Sequence, residues 1–100
     1  MSDRIVAVFR CLPEHVESLE EGFRASLGDT RSFEGCLDLE VTFEAASSTF
    51  VVIQEWESVA HYDRYLAWRV ENGLYDTFDR VLDGGHEAFE VYRLEKKTDL

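Results

Sequence analysis

Residues 37–56 read Leu-Asp-Leu-Glu-Val-Thr-Phe-Glu-Ala-Ala-Ser-Ser-Thr-Phe-Val-Val-Ile-Gln-Glu-Trp, and two different strand patterns stand side by side in them. In the first, Leu37, Leu39, Val41 and Phe43 alternate with Asp38, Glu40 and Thr42, the period of a strand with one wet face. After a short connection at Ala45 to Ser48, Phe50–Ile53 is apolar without a break and runs on through Gln54 and Glu55 to Trp56. An uninterrupted apolar run of this length suits a strand buried on both faces.

Working outward, the same two patterns return. Ile5–Phe9 is a second continuous run, whereas Phe89, Val91 and Arg93 alternate with Glu90 and Tyr92 near the end of the chain. Between the strands lie helical signals. Pro13 suits the first residue of a helix, and Val16, Leu19, Phe23 and Leu27 recur at spacings of three, four and four, so an amphipathic helix is expected, closed by Gly28. Phe33-Glu34-Gly35 reads as a turn. Ser58 suits the N-cap of a helix that turns Val59, Tyr62, Tyr65 and Leu66 inward. Gly73 interrupts it, and Leu74, Phe78, Val81 and Leu82 make a second short helical face before Gly84-Gly85.

The order β-α-β-β-α-α-β is that of the split βαβ, ferredoxin-like α+β fold. There the first and third strands are central and the other two are edges. The two continuous runs fall at the centre and the two alternating ones at the edges, so pattern and topology agree. The helices suffice for one sheet face only. The other would be a large apolar patch, and a second copy in a two-fold homodimer is the economical cover.

One hundred residues make a single domain, 1–100, with residues 94–100 as a polar C-terminal tail. Ten Lys+Arg against 21 Asp+Glu give a net charge of −11, which repels nucleic-acid backbones and anionic lipid. The apolar runs are too short to span a bilayer. Cys11 and Cys36 form no C-x-x-C pair and no signal peptide precedes them, so reduced thiols and a cytoplasmic location are expected. There is no H-E-x-x-H, no G-x-G-x-x-G and no Walker lysine. No metal, flavin, nicotinamide or other tightly bound cofactor is therefore expected.

Several of these stretches resemble one family. Strand one ending in Leu12-Pro13, the turn Phe33-Glu34-Gly35-Cys36-Leu37 and the junction Glu55-Trp56-Glu57-Ser58 are similar to those of antibiotic biosynthesis monooxygenase domains, over about Arg4 to Leu94. The resemblance implies a dimeric α+β barrel. It does not choose among the family's activities, which include cofactor-free monooxygenases of polycyclic phenols, heme-degrading enzymes and isomerases. The heme-degrading pattern of Asn, Trp and His falls here on Val8, Tyr65 and Leu74, and none matches. The family's common histidine, nine residues after the junction tryptophan, is replaced by Tyr65.

The candidate site lies on the second helix. His61, Tyr65 and Arg69 are four apart, along one stripe, with Tyr62 and Trp68 beside it and Trp56 at the strand end before it. Facing a pocket, Tyr65 and Arg69 would stabilise an anion, His61 would accept a proton, and Trp56, Tyr62 and Trp68 would hold an aromatic ring. The plainer reading puts His61 and Arg69 in solvent and makes Tyr65 and Trp56 packing residues. The expected function is a cofactor-independent monooxygenase acting with dioxygen on a small hydroxylated aromatic or quinol-type substrate. The alternatives are a non-catalytic, dimeric small-ligand or stress-related module, and an isomerase on the same fold.

Overall fold

A computed structural model describes residues 1–100. Its four strands, β1 (Asp3–Arg10), β2 (Cys36–Glu44), β3 (Thr49–Trp56) and β4 (Glu90–Leu94), form one antiparallel sheet in the order β2-β3-β1-β4. The helices are α1 (Val16–Ser32), α2 (Val59–Glu71) and α3 (Leu74–Val81). This is the ferredoxin-like α+β arrangement, with the two uninterrupted apolar strands inside and the two alternating strands at the edges.

Strand parity decides what each face carries. Ile5, Ala7 and Phe9 on β1, and Phe50, Val52, Gln54 and Trp56 on β3, point to the helices and are at most 9% exposed. Around Phe9 the rings of Phe23, Phe78 and Phe89 meet at centroid distances of 5.0–5.6 Å, a geometry worth about 0.5–1.5 kcal/mol per pair beyond area burial. A second cluster joins Ile5, Trp56 and Tyr62, with Phe33, Tyr65 and Leu66 packed on it. On the opposite face Val6 sits across from Ile53 and Val8 across from Val51, and Tyr92 and Leu94 on β4 remain 49% and 46% exposed. The helices all pack on the first face; on this one Val8 is 9% exposed and Val6, Val51 and Ile53 are partly buried, so the strip is only part-covered in the single chain.

Three local expectations need correction. Gly28 does not close α1, which continues to Ser32. Gly28 keeps a negative φ, and burial of Thr30 at 1% exposed draws the last turn onto the domain, so packing outweighs the glycine's poor helix propensity. Leu37 is not in the alternation of β2. A bulge between Cys36 and Asp38 leaves it as the extra residue, 55% exposed, while Cys36 packs inward. Leu94 pairs with Arg4 as the last residue of β4, so the tail starts at Glu95. In addition, Pro13 starts a 3-10 turn, Pro13–His15, rather than α1 itself.

The Ser58 N-cap is as expected: its Oγ accepts the His61 backbone N–H at 3.2 Å. The next backbone donor, Val59 N–H, is taken by Asp3 Oδ2 at 3.0 Å, which ties the start of α2 to β1. No helix is long and apolar enough to cross a membrane.

Because an added Cβ at Gly28 meets nothing within 4 Å, Gly28→Ala should gain about 0.5–1 kcal/mol of stability. Thermal denaturation checks this: Tm should rise by a few degrees, and an unchanged or lower Tm would contradict it.

Candidate functional site

A cavity of about 270 Å³ lies between the helix-facing side of the sheet and the three helices. Ala7, Phe9, Leu39, Val52 and Gln54 make its floor; Phe23, Leu27, Leu66, Phe78 and Phe89 supply apolar walls. Small-molecule pockets usually run from about 300 to 1,000 Å³, so the space suits a compact ligand. One lining residue is charged, Arg69. No Asp, Glu or His lines it.

Helix geometry explains which residues of the expected stripe arrive there. An α-helix turns once per 3.6 residues, so each step of four overshoots by about 40°. Over the eight positions from His61 to Arg69 the stripe drifts by about 80°, and only its latter part faces the cavity. Tyr65 and Arg69 line it; His61 does not. The His61 ring instead packs on Gly35, whose φ of +96° and lack of a side chain let it approach: an added Cβ would stand 2.5 Å from three His61 atoms. His61 Nδ1 shares a hydrogen with Ser58 Oγ at 2.7 Å, and Nε2 lies 3.3 Å from Glu57 Oε2. This geometry makes the residue part of the junction between the turn before β2 and the start of α2. The proton acceptor expected of it is not supplied to the cavity.

Of the three aromatic residues expected to hold a ring, Tyr62 lines the cavity. Trp56 is fully buried behind the wall, its indole N–H donating to Gln54 Oε1 at 2.9 Å. Trp68 sits outside, 36% exposed, with the Arg69 guanidinium 4.8 Å above its ring. Burial holds the Tyr62 phenol well above the usual tyrosine range, so it stays a neutral donor. The thiols of Cys11 and Cys36 are likewise pushed up by burial, the opposite of what an attacking thiolate needs.

Arg69 is the centre of the polar part. Its Nε donates to Tyr65 Oη at 2.8 Å, and Nη2 donates to the Ser26 carbonyl at 2.8 Å and to Thr30 Oγ1 at 3.0 Å. Tyr65 Oη and Thr30 Oγ1 are themselves 2.8 Å apart and share a hydrogen. The guanidinium thus bridges α1 and α2 while stacked against the Tyr65 and Trp68 rings. It makes no ion pair with any carboxylate, although the chain has 21 acidic residues. Nη1 makes no hydrogen bond to the protein. A half-buried arginine with spare donors and no carboxylate partner, set in an apolar wall, has the chemistry to accept an anion.

Thr30, Ser26 and Gln54 were not singled out from the sequence. Gln54 had a visible signal, because it interrupts the inward parity Phe50, Val52, Trp56 with a polar group. Thr30 had none, since it lies beyond the glycine that was expected to end the helix.

An antiparallel sheet with helices on one face, and a largely apolar, singly charged cavity between them, is an α+β domain of the ferredoxin-like class. The family model described as antibiotic biosynthesis monooxygenase matches residues 4–69, and the chain belongs to that family. Among solved structures, a conserved protein from Methanosarcina mazei Go1 is 21% identical, with a TM-score of 0.81 over 97% of this chain and 94% of that one. A Pseudomonas aeruginosa protein is 22% identical, with a TM-score of 0.72 over 95% and 93%. A structure described as an antibiotic biosynthesis monooxygenase is 20% identical, with a TM-score of 0.76 over 96% and 98%. These likenesses show the fold. No curated protein matches the chain.

The cavity mouth has an unfilled position. Gly22 on α1 lines the cavity, and an added Cβ there meets nothing within 4 Å. Gly22→Leu should fold normally, since it gains helix propensity, yet obstruct the space. Calorimetric titration with 2-naphthoate, a flat aromatic anion, should show at least about tenfold weaker binding, roughly 1.4 kcal/mol. Equal affinity would place the ligand elsewhere.

Proposed function

We propose that the chain binds a small, flat, mostly apolar molecule as its anion, with the charged oxygen at Arg69 and Tyr65. We propose further that it acts as a cofactor-independent monooxygenase on a hydroxylated aromatic or quinol-type substrate. Family membership supports a monooxygenase-type or small-molecule-binding role. The observation that carries the finer reading is the unpaired guanidinium of Arg69 in an otherwise uncharged cavity.

The chemistry follows from what the cavity holds and lacks. Dioxygen is a triplet, so a closed-shell substrate must itself supply the first electron, which a carbanion or phenolate can do. With no Asp, Glu or His on the cavity wall, the substrate's proton passes to solvent water, and the Arg69 charge favours the ionised form once bound. Arg69 stabilises that anion in a wall of low dielectric, where a fixed charge acts more strongly than in water. Electron transfer and radical recombination give a peroxide on the substrate carbon. In an anthrone-type substrate, whose reacting carbon is a methylene, the peroxide takes a proton from solvent; the carbon's remaining hydrogen then leaves as a proton to water while the O–O bond breaks, so one oxygen atom stays as the carbonyl and the other leaves as water. The lack of a proton acceptor also favours a second reading, a binding module without turnover.

We also propose that the open sheet face is covered by a second copy. Val6, Val8, Val51 and Ile53 form a contiguous strip across β1 and β3, and burying it in a two-fold contact removes an exposed apolar surface. Light scattering should return twice the mass of one chain. Val51→Glu should drive the protein to the monomer; a wild-type monomer at micromolar concentration would refute the dimer.

Two substitutions test the site. Arg69→Gln removes the charge and should weaken binding of 2-naphthoate, or oxygen consumption with a quinol, by at least about tenfold. Tyr65→Phe should do the same. It should also cost about 1 kcal/mol of stability, because Thr30 and Arg69 each lose a hydrogen-bond partner. Oxygen uptake with anthrones and quinols, without added flavin or metal, separates enzyme from binding module. If both variants bind and turn over as wild type does, neither residue is in the site.

A further inference from the structure

The cavity floor holds a second polar group with no protein partner. Gln54 lies on the inward side of β3 between Val52 and Trp56, is 5% exposed, and lines the cavity. Trp56 fixes which way its amide points. The indole N–H can only donate, so the atom 2.9 Å from it is the amide oxygen and the NH₂ group faces away. That NH₂ makes no hydrogen bond to the protein. No side-chain nitrogen or oxygen that is sealed inside the chain lacks a partner, so this one is reached from the cavity. Burial of a donor is disfavoured unless something accepts from it.

We infer that Gln54 is the second anchor of the cavity and donates to a carbonyl-type oxygen of the ligand, at the sheet end of the space, while the ligand's ionised oxygen lies at Arg69 between the helices. This rests on the proposed reading of Arg69 and adds the shape of the ligand to it. The molecule is flat and apolar in its middle, with one ionised oxygen and one neutral acceptor oxygen on opposite edges, as in an ionised hydroxyquinone. Gln54 can serve this role because its other end is held. Trp56 is wholly buried, and Tyr62 packs edge-on against the same indole at 5.6 Å, so the amide does not turn over to offer its oxygen instead.

Three bicyclic probes test it. 2-Hydroxy-1,4-naphthoquinone is anionic at neutral pH and has a carbonyl on the far edge, 2-naphthoate is anionic with no oxygen outside its carboxylate, and 1,4-naphthoquinone has carbonyls and no charge. By calorimetry, wild type should bind the hydroxyquinone at least about tenfold tighter than either of the others. Gln54→Met should bring the hydroxyquinone and 2-naphthoate to nearly equal affinity. Should that variant lose its fold with the Trp56 partner, the double variant Gln54→Met/Trp56→Phe removes the unpaired indole donor as well. Measured as a ratio between the two anionic probes, the preference should still collapse. A ratio that survives in the folded variant, or no preference in wild type, overturns the Gln54 anchor and leaves the Arg69 reading standing. If none of the three probes binds wild type, the Arg69 reading falls, and the second anchor falls with it.

Discussion

The guanidinium of Arg69 is the tie across the gap between α1 and α2. It reaches from one helix to the Ser26 carbonyl and Thr30 hydroxyl of the other, and it fixes the Tyr65 hydroxyl on the way. Had apolar side chains zipped these two helices together, the space beneath them would have closed. A polar clasp holds them apart at a set distance instead, and the floor of the sheet stays uncovered there. The surrounding packing serves this arrangement: Trp68 supports the guanidinium from outside, while Phe33 and Trp56 pack against the Tyr65 ring at 5.3 and 5.2 Å.

Such a clasp is costly as a purely structural device. Removing a guanidinium from water disfavours the fold unless its donors are used and its charge is balanced. Here Nε and Nη2 are used, and two rings supply cation–π attraction of roughly 0.5–2 kcal/mol each. The charge is left unbalanced and Nη1 unbonded. The same holds, in neutral form, for the amide of Gln54. Both incomplete groups border one cavity of about 270 Å³. A ligand that meets both groups and binds only the folded chain raises its stability, so binding and folding should be coupled here.

The fold was legible because two strand patterns, continuous and alternating, are written on opposite sides of the same topology. Ile5–Phe9 and Phe50–Ile53 could only be central, and the sheet order follows. Legibility failed where a local preference met a tertiary demand. Gly28 carries the composition of a helix end, but the buried Thr30 keeps the helix going. Leu37 fits an alternation that the bulge at Cys36/Asp38 displaces by one residue. At the cavity, the i, i+4 spacing on α2 pointed to two of the residues that line it, Tyr65 and Arg69. It also pointed to His61, because spacing alone does not carry the 40° drift per step into a choice of face. Thr30 and Ser26 were out of reach for another reason: their meeting with Arg69 spans about forty positions of chain, and no pattern within one helix reports it.

The charge distribution adds a last constraint on what can occupy the cavity. A chain with a net charge of −11 repels anions at a distance, yet it keeps its one unpaired cavity charge positive. Beyond about 8 Å at physiological salt the outer repulsion is largely screened, whereas the field of a half-buried guanidinium beside apolar walls is not. A polyanion would meet the acidic surface with every charge it carries and could place only one of them at Arg69. A compact monoanion with an apolar body loses little on approach and gains the full contact inside. On the proposed reading of Arg69 the acidic surface acts as a filter for the cavity, and the number of charges on a ligand matters as much as its shape.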